Sequence, residues 1–263
     1  MKFCFGITLL LLLSSSAILA QEHENTYEAG LFIGRASIQT DYGERGDFES
    51  AANNASISYS LVHYTHFFNK LRYWGRDFTL LYHIMIKSEI NFLQGANLKH
   101  YGKHIKGPSL EAEKLRAMKG KISMLNLGVS FEYHFIDLYE YMNGYNLTKL
   151  NPYLSFGVKY NFFKNSLSSD LGDWEQDISV LPQKYQTPGA LALGSDSVFS
   201  FTAGVGLRYR LSELLDLSGI VNFEVFMSDN IDGLQANVIE NKNNEWLVNL
   251  QLGLIYHLNF YTR

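Results

Sequence analysis

The sequence WLVNLQLGLIYHLNF, residues 246–260, carries an apolar side chain at every second position from Trp246 to Phe260. The alternate positions include polar or small residues: Asn249, Gln251, Gly253 and His257. Because successive side chains of a strand point to opposite faces, this pattern predicts a strand with one apolar and one polar face. Strands of soluble proteins usually have about five or six residues, whereas a tilted strand that crosses a bilayer has about nine to eleven. The length of the stretch therefore favours a strand that crosses a membrane.

Seven further segments alternate in the same way, and the eight together predict an all-β fold, an eight-stranded antiparallel transmembrane β-barrel. In this barrel Leu250, Phe156 and Phe201 face lipid, while Glu132 and Arg208 are enclosed. The apolar faces of the third to seventh segments carry no charge, as expected where a mid-bilayer Arg or Lys costs about 2–4 kcal/mol. The expected strands are 27–36, 55–67, 78–92, 121–135, 152–163, 198–210, 216–228 and 245–260. On the third strand the expected lipid-facing residues are Phe78, Leu80, Tyr82, Ile84 and Ile86.

The connections between these segments alternate in length. Outer-membrane barrels place short turns in the periplasm and long loops outside, so the alternation predicts two periplasmic termini. Within one long connection, Ser109 is expected to cap a short helix that ends at Gly120, although an extension of strand four fits the same residues. The long connections are 37–54, 93–120, 164–197 and 229–244, and the shorter ones are 68–77, 136–151 and 211–215.

The N-terminus has the pattern of a secretory signal. Lys2 supplies the positive start, residues 7–13 the apolar middle and residues 14–20 the small-residue exit. We therefore expect a cleaved signal peptide at 1–20 and an outer-membrane β-barrel domain at 21–263. Cys4, the only cysteine, leaves with the signal, so the mature chain has no thiol for a disulfide or a metal site.

Composition excludes several classes of function. Without Lys2, the mature chain has 21 Lys and Arg against 26 Asp and Glu, a net charge of −5, whereas nucleic-acid binding needs a concentrated basic surface. The mature chain lacks the run of about 18 apolar residues that a membrane helix needs. Aromatic residues make up 14% of the chain, and many stand at segment ends, where an interfacial girdle needs them. We expect outer-membrane lipid as a partner, no nucleic acid and no cofactor.

The inward face collects charges of both signs. Interiors of small barrels are only wide enough for side chains, and unpaired buried charges are costly, so these residues are expected to form a salt-bridged plug. A polar pathway or a catalytic carboxylate pair is the alternative. Glycines on the same face are expected to leave space for the long charged side chains. The expected network is Lys87, Glu89, Glu132, Lys159, Arg208, Arg210 and Glu224.

Other groups carry weaker signals. His63 and His66 lie on opposite faces of a regular strand, which prevents joint metal binding. A serine hydrolase needs a Ser and a His that converge, and no His has a Ser two residues away on the same strand face. The first outer loop, TDYGERGDF at 40–48, mixes carboxylates with glycines and could bind a cation or a partner, although such loops are usually solvated turns. Its candidate contact residues are Asp41, Tyr42, Glu44, Arg45 and Asp47.

Four stretches carry a resemblance to a known family: TDYGERGDF at 40–48, LRAMKG at 115–120, PYLSFGVKYNFF at 152–163 and NEWLVNLQLGLIYHL at 244–258. Over its mature length the chain resembles outer-membrane β-barrel proteins of the Bacteroidota, especially flavobacteria. It is more distantly similar to PorG-type barrels, which are associated with the type IX secretion machinery. The resemblance implies no catalytic or binding residues, and a role in secretion would follow from analogy of fold alone.

These observations favour a non-enzymatic outer-membrane barrel with a filled lumen, acting as a structural or partner-binding component of the envelope. A narrow diffusion channel for small solutes is the alternative, and an outer-membrane hydrolase is a third hypothesis. Periodicity alone also permits a soluble periplasmic β-sandwich or lipocalin-like barrel with the apolar face inward. Strand length, girdle aromatics and loop asymmetry argue against that inversion.

Overall fold

The computed structural model describes residues 26–44, 47–66, 79–143, 149–236, 238 and 244–258. Eight antiparallel strands form a closed barrel in which each strand pairs with the next and β8 pairs with β1. This confirms the predicted eight-stranded barrel. The strands are β1 Thr26–Gln39, β2 Ala55–His66, β3 Ile84–Lys99, β4 Met118–His134, β5 Leu150–Ser169, β6 Gly194–Arg210, β7 Leu215–Phe226 and β8 Trp246–Leu258. The expected signal peptide lies outside the described residues.

The barrel has two distinct ends. The terminal end is the one where β1 begins and β8 ends, since Tyr27 is the register partner of Leu258. The loop end carries the connections after the odd-numbered strands, at 40–54, 100–117, 170–193 and 227–245. The terminal-end connections are 67–83, 135–149 and 211–214.

Through most of its length the barrel is apolar outside and polar inside. Leu250, Phe156 and Phe201 are 55%, 56% and 57% exposed, while Glu132 and Arg208 have no exposed surface. This polarity is the one predicted, and the soluble inversion is wrong for this part of the barrel. We call the surrounding band of exposed apolar side chains the apolar belt. Its members include Leu31, Ile33, Phe92, Leu125, Phe131, Phe156, Val158, Phe162, Phe199, Phe201, Val221, Leu250 and Leu252.

Strand β3 is displaced from its predicted position. It spans Ile84–Lys99 instead of 78–92, because Leu80 and Tyr82 lie in a 3-10 helix, Thr79–His83. Phe78 lies outside the described residues, whereas Ile84 and Ile86 are on the strand as expected. A bulge between Leu93 and Ala96 interrupts the alternation. Because the alternation is interrupted there, the sequence beyond the bulge was predicted to be a loop.

The barrel continues past the apolar belt at the loop end. Strands β3 to β6 extend through residues that were predicted to be connections, so the folded region there is longer and the free loops are shorter. We call this region, formed by residues 93–99, 118–124, 163–169 and 194–198, the extension. Ser109 caps a helix that ends at Ala117, and β4 begins at the next residue, so both alternatives for 93–120 are correct in part.

Short helices accompany the strands: α1 Phe48–Asn53, α2 Leu110–Ala117 and α3 Leu138–Asn143. Helices α1 and α2 lie in loop-end connections, and α3 lies in the terminal-end connection after β4. Within the part of the chain that the structure describes, none of the helices is both long and apolar enough to cross a membrane.

Candidate functional site

The terminal half of the barrel encloses an arginine among carboxylates. Arg208 Nη1 lies 2.7 Å from Glu28 Oε2 and 4.0 Å from Asp216 Oδ2, and its Nη2 lies 3.9 Å from Glu132 Oε2. The guanidinium carbon also lies 4.3 Å from the centre of the Tyr64 ring. All five residues are buried. A buried guanidinium without such partners would cost several kcal/mol, so the carboxylates compensate the buried charge of Arg208.

Two histidines extend this group. His257 contacts Glu28 Oε1 through Nδ1 and Asp216 Oδ2 through Nε2, both at 3.2 Å. His134 Nε2 lies 3.5 Å from Glu132 Oε2. Each of the three carboxylates around Arg208 therefore also contacts a histidine. We call the whole group the arginine cluster: Arg208, Glu28, Glu132, Asp216, His134 and His257.

A second group of ion pairs lies closer to the loop end. Lys159 Nζ lies 3.7 Å from Glu89 Oε1 and 3.4 Å from Glu224 Oε2. Lys87 Nζ lies 3.4 Å from Glu89 Oε2 and 3.6 Å from Glu132 Oε1. Lys87 thus joins this group to the arginine cluster through Glu132. The buried charges form one continuous network along the lumen.

Six of the seven predicted lumen residues belong to this network, and Arg210 does not. Arg210 is half-buried at the terminal end, where it donates to the backbone oxygens of Tyr141 and Ser212. The sequence reading missed Glu28 and Asp216, and it noted His257 without placing it in the network. The alternation of faces along a strand could have identified Asp216. It stands an even number of residues before Asn222 and Glu224 and therefore shares their inward face.

Two lumen glycines show how the interior is filled. A Cβ on Gly128 would lie 2.8 Å from Lys159 Cγ, so a charged side chain occupies that space as predicted. A Cβ on Gly206 would lie 2.2 Å from Tyr153 Cζ, so an aromatic ring occupies this one. The glycines therefore make room for bulky neighbours of either kind.

Apolar layers close the network at both ends. At the terminal end, helix α3 inserts Leu138, which packs in a buried cluster with Tyr64, Met85 and Tyr153. At the loop end, the inward faces of the extension form a larger buried cluster with loop residues. That cluster contains Ile38, Tyr42, Leu93, Leu98, Met118, Ile122, Phe163, Leu167, Leu181, Tyr185, Phe226, Ile231, Leu234 and Leu247.

The first loop supplies part of this closure and is not the solvated turn that was expected. Tyr42 has no exposed surface, and its ring lies against Gly120, where a Cβ would approach Tyr42 Cζ to 2.6 Å. The Asp41 N–H donates to Asp232 Oδ2 at 2.9 Å. Burial lowers the pKa of His100 to about 3, so its neutral ring can accept the Gly43 N–H through Nδ1. Asp41 and Tyr42 are consequently shielded from an external partner.

The other candidate contact residues that the structure describes in this loop, Glu44 and Asp47, lie nearer the surface. Glu44 Oε1 forms an exposed ion pair with Lys103 Nζ at 2.8 Å. Asp47 caps helix α1 by accepting the Ser50 N–H at 2.9 Å. Arg45 lies outside the described residues. Only Glu44 and Asp47 of the described set remain accessible.

A pair of buried carboxyl groups lies where this loop meets the last one. Glu245 accepts the N–H groups of Ile231 and Asp232 at 2.8 and 3.1 Å, and Asp232 accepts the Leu234 N–H at 2.8 Å. Burial raises the pKa of Asp232 to about 6. Burial and the neighbouring Asp232 raise the pKa of Glu245 well above its usual value. The pair therefore retains a proton under conditions where surface carboxyls have lost theirs.

Comparison with known proteins gives matches among solved structures alone. No protein-family model matches it, and no curated protein does. Ail, the attachment invasion locus protein of Yersinia pestis, is similar with 12% identity and a TM-score of 0.42, covering 89% of this chain and 99% of Ail. Neisserial surface protein A has 11% identity and a TM-score of 0.42, covering 89% of this chain and 99% of that protein. A major outer membrane protein of Thermus thermophilus has 14% identity and a TM-score of 0.47, covering 89% of this chain and 100% of that protein.

Within the described residues, no group of three or more His, Cys, Asp or Glu side chains has an arrangement that could hold a metal ion. The histidines of the arginine cluster contact carboxylates that also contact Arg208. The geometry of the interior is that of a compensated charge network.

Proposed function

We propose that this chain is a non-enzymatic, non-conducting outer-membrane barrel whose extension and loops contact other components of the cell envelope. The observation that carries the proposal is the filled interior: a continuous ion-pair network closed by an apolar layer at each end. Buried charges in such a network are costly to separate, which opposes the transient opening that ion flow would require.

The proposed location rests on the apolar belt. Its exposed Phe, Leu and Val side chains surround the barrel, whereas monomeric soluble proteins rarely expose a large contiguous apolar surface. In lipid this surface is stable, and a closed barrel leaves no backbone edge unpaired. Fractionation of cells tests this directly: recovery in the soluble periplasm would exclude the proposal, and recovery with outer-membrane vesicles supports it.

Single-channel recording tests the closed lumen. Purified, refolded protein in planar bilayers is expected to give no steady openings, whereas a diffusion channel would give them. A double variant, Lys159→Ala with Glu224→Ala, removes a buried ion pair together with both side chains and is expected to raise ion leakage. Lys106→Ala with Glu113→Ala removes the same two kinds of side chain from exposed loop positions and is the matched control.

Site-specific photo-crosslinking in intact envelopes tests the partner. A photoreactive residue at Leu110, which is 63% exposed on α2, reports on the loop end. The same residue at Glu213, exposed at the terminal end, reports on the other rim. We expect reproducible protein adducts at Leu110. Adducts with secretion-machinery components would support the role suggested by resemblance, and repeated empty captures at both positions would leave a purely structural role.

A further inference from the structure

An open groove of about 340 Å³ runs across the outward face of the extension. Strands β3, β4 and β5 form it, and the side chains that face out of the barrel there are polar or cationic. They are Asn97, Lys99, Lys119, Lys121, Ser166 and Ser168. We call this surface the lysine groove. Its composition contrasts with the apolar belt on the same strands.

The bulge in β3 builds one wall of the groove. It adds a residue between Leu93 and Ala96, so that Leu98 turns inward and Lys99 turns outward. Gly95 has a φ of +35°, and a Cβ there would lie 2.8 Å from Lys121 Cε. The glycine therefore leaves the space in which the Lys121 side chain lies.

The charges of the groove are only partly compensated. Lys99 and Lys119 are direct register partners, and like charges opposite each other on adjacent strands are destabilising. Lys119 forms an ion pair with Asp170 at 2.6 Å. In the described part of the chain, Lys99 and Lys121 form no ion pair with an acidic side chain. An anion bound beside Lys99 would offset its repulsion from Lys119.

The groove lies directly beyond the apolar belt. Lys121 stands four residues past Leu125 on β4, and Lys164 stands two residues past Phe162 on β5. A strand rises about 3.4 Å per residue, and lysine ammoniums reach several ångströms along a surface, so these cations reach the headgroup layer. Proteins hold lipid phosphates at such sites by charge attraction and by hydroxyl or amide donors.

A second groove of about 440 Å³ lies within the belt and shares strand β3 with the lysine groove. It is almost entirely apolar, and Ile90 and Phe92 of β3 line it. The second groove spans strands β1 to β3 and the lysine groove spans β3 to β5, so an apolar surface and a cationic surface adjoin along β3. This arrangement favours an amphiphile over a soluble anion.

We propose that the lysine groove binds the phosphate of a lipid headgroup in the membrane leaflet at the loop end. Lys99 and Lys121 contribute the main charge, while Asn97, Ser166 and Ser168 supply hydrogen-bond donors. The proposal rests on insertion of the apolar belt in a membrane, and fractionation tests that premise separately.

The experiment uses the full mature chain in mixed micelles of a neutral detergent with phosphatidic acid or phosphatidylcholine. Native mass spectrometry measures the lipid that stays bound, and inorganic phosphate is added as a soluble competitor in a parallel arm. The test variant is Lys99→Gln with Lys121→Gln. The control variant, Lys106→Gln with Lys149→Gln, makes the same charge change at exposed lysines outside the groove.

The unaltered chain is expected to retain phosphatidic acid in preference to phosphatidylcholine. Each groove lysine is worth about fivefold in affinity, so the test variant should bind phosphatidic acid about twenty-five-fold more weakly while the control is unchanged. Gly95→Ala should also weaken binding without a change in charge, with folding verified by circular dichroism. Equal binding by test and control variants, or a lack of preference for phosphatidic acid, overturns the proposal. Displacement of the lipid by inorganic phosphate at comparable concentration overturns the choice of a lipid ligand.

Discussion

Strands β3, β4 and β5 pass through two regions with opposite polarity. In the belt their outward residues are apolar and their inward residues polar, and in the extension both relations are reversed. The outward sets are Phe92, Leu125 and Phe162 in the belt against Lys99, Lys121 and Lys164 in the extension. The inward sets are Asn91, Asn126 and Asn161 in the belt against Leu98, Ile122 and Phe163 in the extension.

The difference shows that the surrounding medium, and not the strand geometry, determines which face is apolar. Hydrogen-bonded pairing is continuous across the boundary on β4 and β5, with Asn126 opposite Asn161 and Met124 opposite Phe163. In lipid the apolar face must point outward, and in water it must point inward to bury its surface. The change of polarity along the strands therefore marks the membrane boundary at the loop end.

The largest effect is expected from a substitution that disrupts the polar interior of the belt region. Arg208→Met leaves Glu28 and its neighbouring carboxylates without their main cation, and loss of one member of a buried ion pair costs about 3–5 kcal/mol. Lys119→Gln removes the exposed pair with Asp170 in the extension and should cost about 0–1 kcal/mol. Denaturant unfolding in lipid vesicles measures both.

A second substitution in the same cluster sharpens this result. Adding Glu28→Gln to Arg208→Met removes one uncompensated charge and should recover part of the lost free energy of unfolding. Equal costs for Arg208→Met and Lys119→Gln would mean that the interior is hydrated and that the network does not hold the barrel closed.

The next expected effect tests whether the extension has the core of a soluble protein. Leu98 is fully buried there, and truncation of a buried leucine to alanine costs about 2–5 kcal/mol. Leu98→Ala should lower the free energy of unfolding by this amount. Leu110→Ala removes the same atoms from an exposed position on α2 and should change it by about 0.5 kcal/mol or less. Similar values for the two variants would show that the extension is not a packed core.

A third test places one new charge on each side of the boundary. Val158 is outward in the belt, and Val158→Lys should cost about 2–4 kcal/mol in a bilayer because the ammonium would face lipid. Gln94 is outward and exposed two residues past Phe92, and Gln94→Lys should cost about 0.5 kcal/mol or less. Equal costs would place the boundary elsewhere along the strands.

The sequence predicted the belt well because lipid imposes one strict alternation on every strand. Leu250, Phe156 and Phe201 face outward as expected from that period alone. The extension was missed because its outward Lys, Asn and Ser residues have the composition of loops, and because the bulge at Gly95 shifts the period of β3. The pattern reverses at the boundary, so a search for a continuous apolar face ends there.

The lumen network was predicted in part for a related reason. Inward parity identified Lys87, Glu89, Lys159 and Glu224, but which of them meet depends on the stagger of neighbouring strands. Glu28 was missed because the apolar alternation is weaker in the first two predicted strands than in the others. The burial of Tyr42 depends on contacts between distant loops, to which local sequence gives no guide.

The last prediction concerns the dependence on pH of the loop-end connection 227–245. Burial raises the pKa of Asp232 to about 6 from an ordinary value near 3.8, so the folded chain holds a proton that the unfolded chain releases. A raised folded-state pKa adds stability that is complete below the unfolded value and is lost as pH rises through the folded value. The loop end should therefore lose stability between about pH 4 and pH 6.

Nearby surface acids make stability depend on pH in the opposite direction. The Lys103 ammonium lowers the pKa of Glu44 and the Ser50 N–H lowers that of Asp47, so these groups add stability as pH rises. Hydrogen exchange of residues 231–234 at pH 5 and pH 8, corrected for intrinsic rates, isolates the contribution of the buried pair. Protection should be greater at pH 5, and Asp232→Asn should reduce the difference because its amide does not ionise. Greater protection at pH 8 in the unaltered chain would mean that the surface acids dominate and that the buried pair is ionised in the folded protein.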